Sequence, residues 1–239
     1  IGKFFDATNE NEFSNILNIV ISHIVDNTTL QVNLLDNDNN NTETNISMTF
    51  YDSYTDLEKY NYVHTMNQFG NPDTMYVDPI MDYYIVAHTI PKVKSNVFEV
   101  VPGKHNVISL KTPQGELEFK MNSKIDYQYI VRKQNNESTL YVNNINNVKK
   151  FLTGAYDIEL LTLPRMYFED VKIEQNTKTT YTIPTPGIAN IILPSKGYGG
   201  LYLKKADKIE LIYPIDAKKT QHKLTLLPGD YKVIFKSKN

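Results

Sequence analysis

Five histidines, His23, His64, His88, His105 and His222, are the residues of this sequence best suited to hold a metal or move a proton. Imidazole does both near neutral pH. A zinc site needs its ligands at set spacings, such as His-x-His or His-Glu-x-x-His, and none of the five stands in such a pattern. His64 and His88 fall in strand-like segments and read as packed or surface residues. The chain has no cysteine, which excludes disulfide staples and cysteine-based metal sites.

Carboxylates pair up only in turn-like segments, as Asp6 with Glu10 and Asp36 with Asp38. No pair is set on facing strands in the apolar surround that raises a pKa for acid–base work. Asp36, Asp38 and Asn40 alternate like the oxygen ligands that open a calcium loop. However, no Gly follows at the sixth position and no Glu at the twelfth, so Asp36–Asn41 reads as a solvated turn. Lys196-Gly197-Tyr198-Gly199-Gly200 is glycine-rich but lacks the strand-before, helix-after setting of a phosphate cradle. It reads as a hairpin tip. Tyr51, Tyr54 and Tyr60 could form a sugar-stacking patch. With 17 Tyr and no Trp, core and cross-strand packing is the stronger reading. No catalytic, cofactor-binding or metal-ligating residue is therefore expected.

The bulk properties narrow the classes further. The 239 residues carry a formal charge of −2. That balance gives no basic face for nucleic acid, whose binding rests on displaced counterions. No run of Lys or Arg exceeds two residues, so no membrane-surface patch is indicated. The longest apolar stretch, Ile16 to Val25, is broken by Asn18, Ser22 and His23 and is too short to span a bilayer. No signal peptide is visible.

The elements are set by periodicity. Phe13, Ile16, Leu17, Val20, Ile21 and Ile24 mark one face of a helix over roughly 10–25. Asn9 and Glu12 resemble its capping box. Gly2–Ala7 looks like the end of a short strand. From Thr29 onward the period is two. Leu30, Val32 and Leu34, then Ile46, Met48 and Phe50, predict a hairpin with one buried face.

Tyr84-Ile85-Val86, Tyr156-Asp157-Ile158 and Tyr231-Lys232-Val233 repeat a Tyr-x-[Val/Ile] pattern at spacings of 72 and 75 residues (156 − 84 and 231 − 156). Leu110-Lys111-Thr112-Pro113 matches Ile183-Pro184-Thr185-Pro186, 73 residues on (183 − 110). A period this long suits tandem domains rather than solenoid units. The expected class is mainly β: immunoglobulin-like sandwiches in tandem behind one short helix. Pro-containing junctions near Ile90–Lys94 and Leu163–Arg165 set the expected modules at 28–95, 96–165 and 166–239, after a segment 1–27.

Ile1-Gly2-Lys3-Phe4-Phe5-Asp6-Ala7-Thr8 and the amphipathic helix after it resemble the last strand and closing helix of a von Willebrand factor type A domain. Thr28–Asp36 and Thr44–Asp52 resemble the region C-terminal to that domain in large bacterial proteins of the Bacteroidetes type. Thr185-Pro186-Gly187 and Pro228–Val233 are similar to their later β modules. The family's Asp-x-Ser-x-Ser metal motif does not occur here. The resemblance thus implies the C-terminal part of a longer protein whose metal site lies elsewhere. It implies a non-catalytic structural or protein-interaction stalk, exported and envelope-associated, whether periplasmic, cell-surface or secreted. A β-sandwich that binds carbohydrate or another small ligand is the alternative. The apolar helix stripe is expected to be covered by another chain or not at all.

Overall fold

A computed structural model describes residues 9–238, with backbone only at 23–26. The strand read at Gly2–Ala7 and the side chains of His23 and Ile24 lie outside the described residues. The chain divides into two compact units, one ending at Gln114 and one beginning at Gly115.

The first unit opens with α1, Glu10–Asp26. The Asn9 side chain caps it by accepting the Glu12 N–H at 2.9 Å, as a helix N-cap does. Phe13 and Leu17 are exposed, and Ile16 and Val20 are only half-buried. The strands are β1 (Thr29–Leu35), β2 (Ser47–Asp52), β3 (Glu58–Val63), β4 (Thr74–Tyr76), β5 (Tyr83–Ala87), β6 (Val93–Lys94) and β7 (His105–Lys111). They form two sheets, ordered β4-β1-β7 and β3-β2-β5-β6. Leu30, Val32 and Leu34 of one sheet and Met48, Phe50, Tyr83 and Ile85 of the other share one core.

The expected hairpin of β1 and β2 does not form. Each strand buries the face its alternation predicts, but they lie in different sheets and meet across the core. Alternation reports that one face is buried. It does not say whether the cover comes from a neighbouring strand's sheet or from the opposite one.

The second unit contains the same arrangement again. Its strands β8 (Gln114–Met121), β9 (Gln128–Lys133), β10 (Thr139–Asn144), β11 (Lys149–Leu152), β12 (Gly154–Leu160), β13 (Met166–Ile173) and β14 (Lys178–Ile183) are ordered β11-β8-β14 and β10-β9-β12-β13. Adding seven to each label of the first sandwich reproduces the second. In both, the first strand pairs in parallel with the seventh: Leu30 with Asn106, and Leu117 with Thr179.

The remaining strands are β15 (Gly187–Ile192), β16 (Gly197–Lys205), β17 (Lys208–Pro214), β18 (Gln221–Leu226) and β19 (Tyr231–Ser237), ordered β15-β18 and β17-β16-β19. That matches the first five strands of the other two modules. The protein is mainly β, a tandem series of immunoglobulin-like sandwiches with one N-terminal helix.

Strand pairing moves the expected junctions. β7 hydrogen-bonds to β1, so the 95/96 junction falls inside the first sandwich. β13 and β14 complete the second, so the 165/166 junction falls inside that one. Ile90-Pro91 and Leu163-Pro164 turn the chain from fifth to sixth strand. In each, a threonine hydroxyl two residues earlier donates to the proline carbonyl: Thr89 to Pro91 at 2.5 Å, Thr162 to Pro164 at 2.7 Å. The junctions are instead the matched Thr112-Pro113 and Thr185-Pro186 segments.

The repeat itself is sharper than its sequence trace. Tyr83, not Tyr84, is equivalent to Tyr156 (156 − 83 = 73). The Tyr83 hydroxyl donates to the Asp78 carbonyl at 2.9 Å, Tyr156 to Leu152 at 2.8 Å, and Tyr231 to Leu227 at 2.5 Å. Each ring lies on the inner face and each hydroxyl ties the preceding loop to it, a tyrosine corner. Tyr84 faces outward and stacks on Tyr51.

Candidate functional site

Among the described residues the histidines do not converge. His64, at the end of β3, is buried. Its Nε2 donates to the Val32 carbonyl at 2.9 Å, and Nδ1 lies 3.3 Å from the Thr44 hydroxyl. Burial pushes its pKa below the usual imidazole value, against the hydrogen bond to Val32, so it is held neutral. His88 meets the Thr49 hydroxyl at 2.7 Å and His105 the Thr29 hydroxyl at 3.0 Å. His222 is buried in the third module beside the Tyr213 ring, with Nδ1 3.4 Å from the Tyr213 hydroxyl. Its Nε2 is buried without a hydrogen-bond partner. Among the described residues no cluster of His, Asp and Glu is placed to hold a metal ion.

The Asp36 carboxylate spends its oxygens within its own loop. Asp36 Oδ1 accepts the backbone N–H of Asp38 at 2.9 Å and of Asn40 at 2.8 Å. Oδ2 accepts the Thr42 hydroxyl at 3.0 Å. Desolvation works to raise the carboxyl's pKa, and these bonds outweigh it and lower it. The carboxylate is the hub of the turn that carries the chain from one sheet to the other.

Nor is there a tyrosine platform. Tyr60 packs on the inner face against Phe50 and Tyr83, with ring centroids 6.3 and 6.1 Å away. Tyr51 lies on the outer face, stacked on Tyr84 at 5.0 Å, and Lys94 Nζ sits 3.6 Å from the centroid of the Tyr84 ring. Tyr54 is 96% exposed in the turn after β2. The three rings face three environments.

The Gly-rich segment is strand, not hairpin tip. It opens β16, and the tip lies at Ala206-Asp207 between β16 and β17. A Cβ on Gly199 would stand 2.1 Å from the Ile234 carbonyl oxygen of β19, and one on Gly197 2.2 Å from that of Lys236. Glycine is required there for the backbones to approach.

One charged cluster went unread in the sequence. The chain's two arginines, Arg132 and Arg165, both pair with Glu159, at 2.9 and 2.5 Å. They lie on the outer face of the second module's four-stranded sheet. Burial alone would raise the Glu159 carboxyl, and the two guanidinium groups outweigh it and hold it below the usual range. Beside it, Asp157 accepts the backbone N–H groups of Asn135 and Asp170, each at 3.1 Å. Two lone arginines 33 positions apart (165 − 132) were the available signal, but it takes the β9–β12 and β12–β13 registers together to bring them to one carboxylate. In this polar depression the two arginines pair with Glu159 and backbone amides satisfy Asp157.

No protein-family model matches the sequence, and no curated protein matches it. Among solved structures the chain is similar to the Bacillus anthracis TIE protein, at 13% identity and a TM-score of 0.27, over 87% of this chain and 45% of that one. It therefore spans about half the length of that chain. It is also similar to a Streptococcal ancillary pilin, at 8% identity and a TM-score of 0.25, over 87% of this chain and 89% of that one. At these levels nothing of either protein's chemistry transfers to this chain. No family model of a type A domain matches. Among the described residues no helix is long and apolar enough to cross a membrane.

Proposed function

We propose that this chain is a non-catalytic structural or protein-interaction stalk of an exported, envelope-associated bacterial protein. The observation that supports this reading is the serial repetition of one sandwich, with the same strand order and short Thr-Pro joints. Arrays of this type transmit load and set distances between the parts they connect. The polar groups that invite a catalytic reading, Asp36, His64 and Glu159, are each engaged in bonds that hold the modules together. The uncovered stripe on α1 supports protein contact rather than small-molecule chemistry.

Pulling single molecules from both ends tests the reading. With joints after 112 and 185, the modules span 85, 73 and 54 residues (28–112, 113–185, 186–239) and should release in separate steps of roughly 30, 25 and 19 nm of contour. A chain that extends in one smooth, stepless event would overturn the stalk reading.

A further inference from the structure

The first two modules fill equivalent interior positions differently. In the second, Phe119 of β8 packs between Tyr129 of β9 and Tyr181 of β14, with ring centroids 4.9 and 5.4 Å away. Strand registers identify the counterparts in the first module. Phe119 lies beside Tyr181 as Val32 lies beside Ile108. Tyr129 lies opposite Leu160, two residues past Ile158, as Met48 lies opposite Ala87, two residues past Ile85. Three rings are thus replaced by Val32, Ile108 and Met48. Phe50 and Tyr62, standing where the second module has Val131 and Asn143, return two. The first interior is one ring short at this place.

The shortfall shows as a cavity of about 330 Å³, with Val32 and Met48 beneath it and Tyr62, His64 and Met75 around it. It opens between β3 and β4, the edge strands of the two sheets. Both His64 nitrogens are engaged, by the Val32 carbonyl and the Thr44 hydroxyl, so the ring adds only carbon to the wall. The charge at the mouth is the exposed Asp73 carboxylate. It accepts the Thr65 hydroxyl, and among the described residues no Lys or Arg pairs with it.

We infer that this cavity is a binding site for a small molecule built of one aromatic ring bearing an ammonium group. The ring enters between Met48, Met75 and Tyr62, where thioether sulfur favours an aromatic neighbour. Aliphatic cavities of roughly 150 Å³ already take up benzene. The ammonium stays at the mouth, donating to Asp73. The site goes beyond the stalk reading and does not depend on it.

The test titrates phenethylamine into the full chain with isotope-labelled methionine methyls. Signals of Met48 and Met75 should shift saturably, and those of Met121 and Met166 in the second module should stay fixed. Ethylamine, which lacks the ring, should bind at least about tenfold more weakly. 2-Cyclohexylethylamine, which lacks only aromaticity, should bind at least about threefold more weakly. Phenylacetate, which reverses the charge, should also lose about threefold or more. Asp73→Asn keeps an oxygen for Thr65. It should weaken phenethylamine about threefold and close most of the gap to phenylacetate. Val32→Phe, which copies the second module's filling, should abolish the Met48 and Met75 shifts. If that variant does not fold, Asp73→Asn and the ligand series decide. No saturable shift at Met48 and Met75, equal binding of the cyclohexyl or the carboxylate compound, or undiminished binding to a folded Val32→Phe chain would each overturn the proposal. Stepwise release of the modules under force is unaffected by any of these results, so the stalk reading is judged separately.

Discussion

At the scale of residues, the groups that look chemical are structural ties. His64 is the clearest case. Its ring, placed after β3, bonds the carbonyl of Val32 in the opposite sheet. Its folded pKa lies below the ordinary 6.5. The unfolded chain therefore takes up the proton first as pH falls, and His64 contributes stability that is present above pH 6.5 and lost below it. A urea titration of the 239-residue chain from pH 7.5 to 5 should show the first unit losing stability in that window. His64→Gln should flatten the pH dependence while lowering stability throughout. A pH profile unchanged by that substitution would remove His64 from the account. Tyr156 works at the other end of the scale. Burial pushes its pKa from 10.0 up to about 12, so its corner bond stays intact at every pH a cell presents. That contribution is lost only as pH climbs from 10 toward 12.

At the scale of elements, close backbone approach matters as much as side-chain pattern. Gly199→Ala would drive a Cβ into the Ile234 carbonyl. It should part β16 from β19 and destabilise the third module by about 1–3 kcal/mol, the usual cost of forced overpacking. Circular dichroism and urea melts read the loss, and Gly187→Ala, where a Cβ meets nothing within 4 Å, is the control. Legibility in the sequence divides along the same physical line. The helix and its Asn9 cap were legible because 3.6-residue periodicity and capping are local. The buried alternation of β1 and β2 was legible for the same reason. Their assignment to different sheets was not, because β1 takes its partners from distant segments, Thr74–Tyr76 and His105–Lys111. The tyrosine register slipped by one because Tyr83 and Tyr84 are adjacent and only the first faces inward. The prolines misled for a related reason: Pro marks a turn, and here the turns lie within modules. At Thr112-Pro113 and Thr185-Pro186 the same residue type does mark the joints. The Arg132–Glu159–Arg165 cluster depended wholly on strand register.

At the scale of the whole molecule, the three modules share a plan, and the described residues are buried unequally among them. On the fifth strand the first two modules bury Ile85 and Ile158, whereas Val233 at the equivalent position is 40% exposed. Cooperative burial is what makes local opening costly, so stability should not be uniform along the chain. Ile158→Ala removes a side chain enclosed on all sides and should cost about 2–5 kcal/mol. Val233→Ala, at the equivalent position, removes a smaller side chain already in partial contact with water and should cost under about 1.5 kcal/mol. Hydrogen exchange at neutral pH gives the same comparison without mutation. Amides of β15 and β19 should exchange at least about tenfold faster than those of β8 and β12, because an opening in the third module disrupts less buried surface. Equal protection in the second and third modules would mean that β15 and β19 are held by something other than the sandwich core, and the graded-stability account would fail.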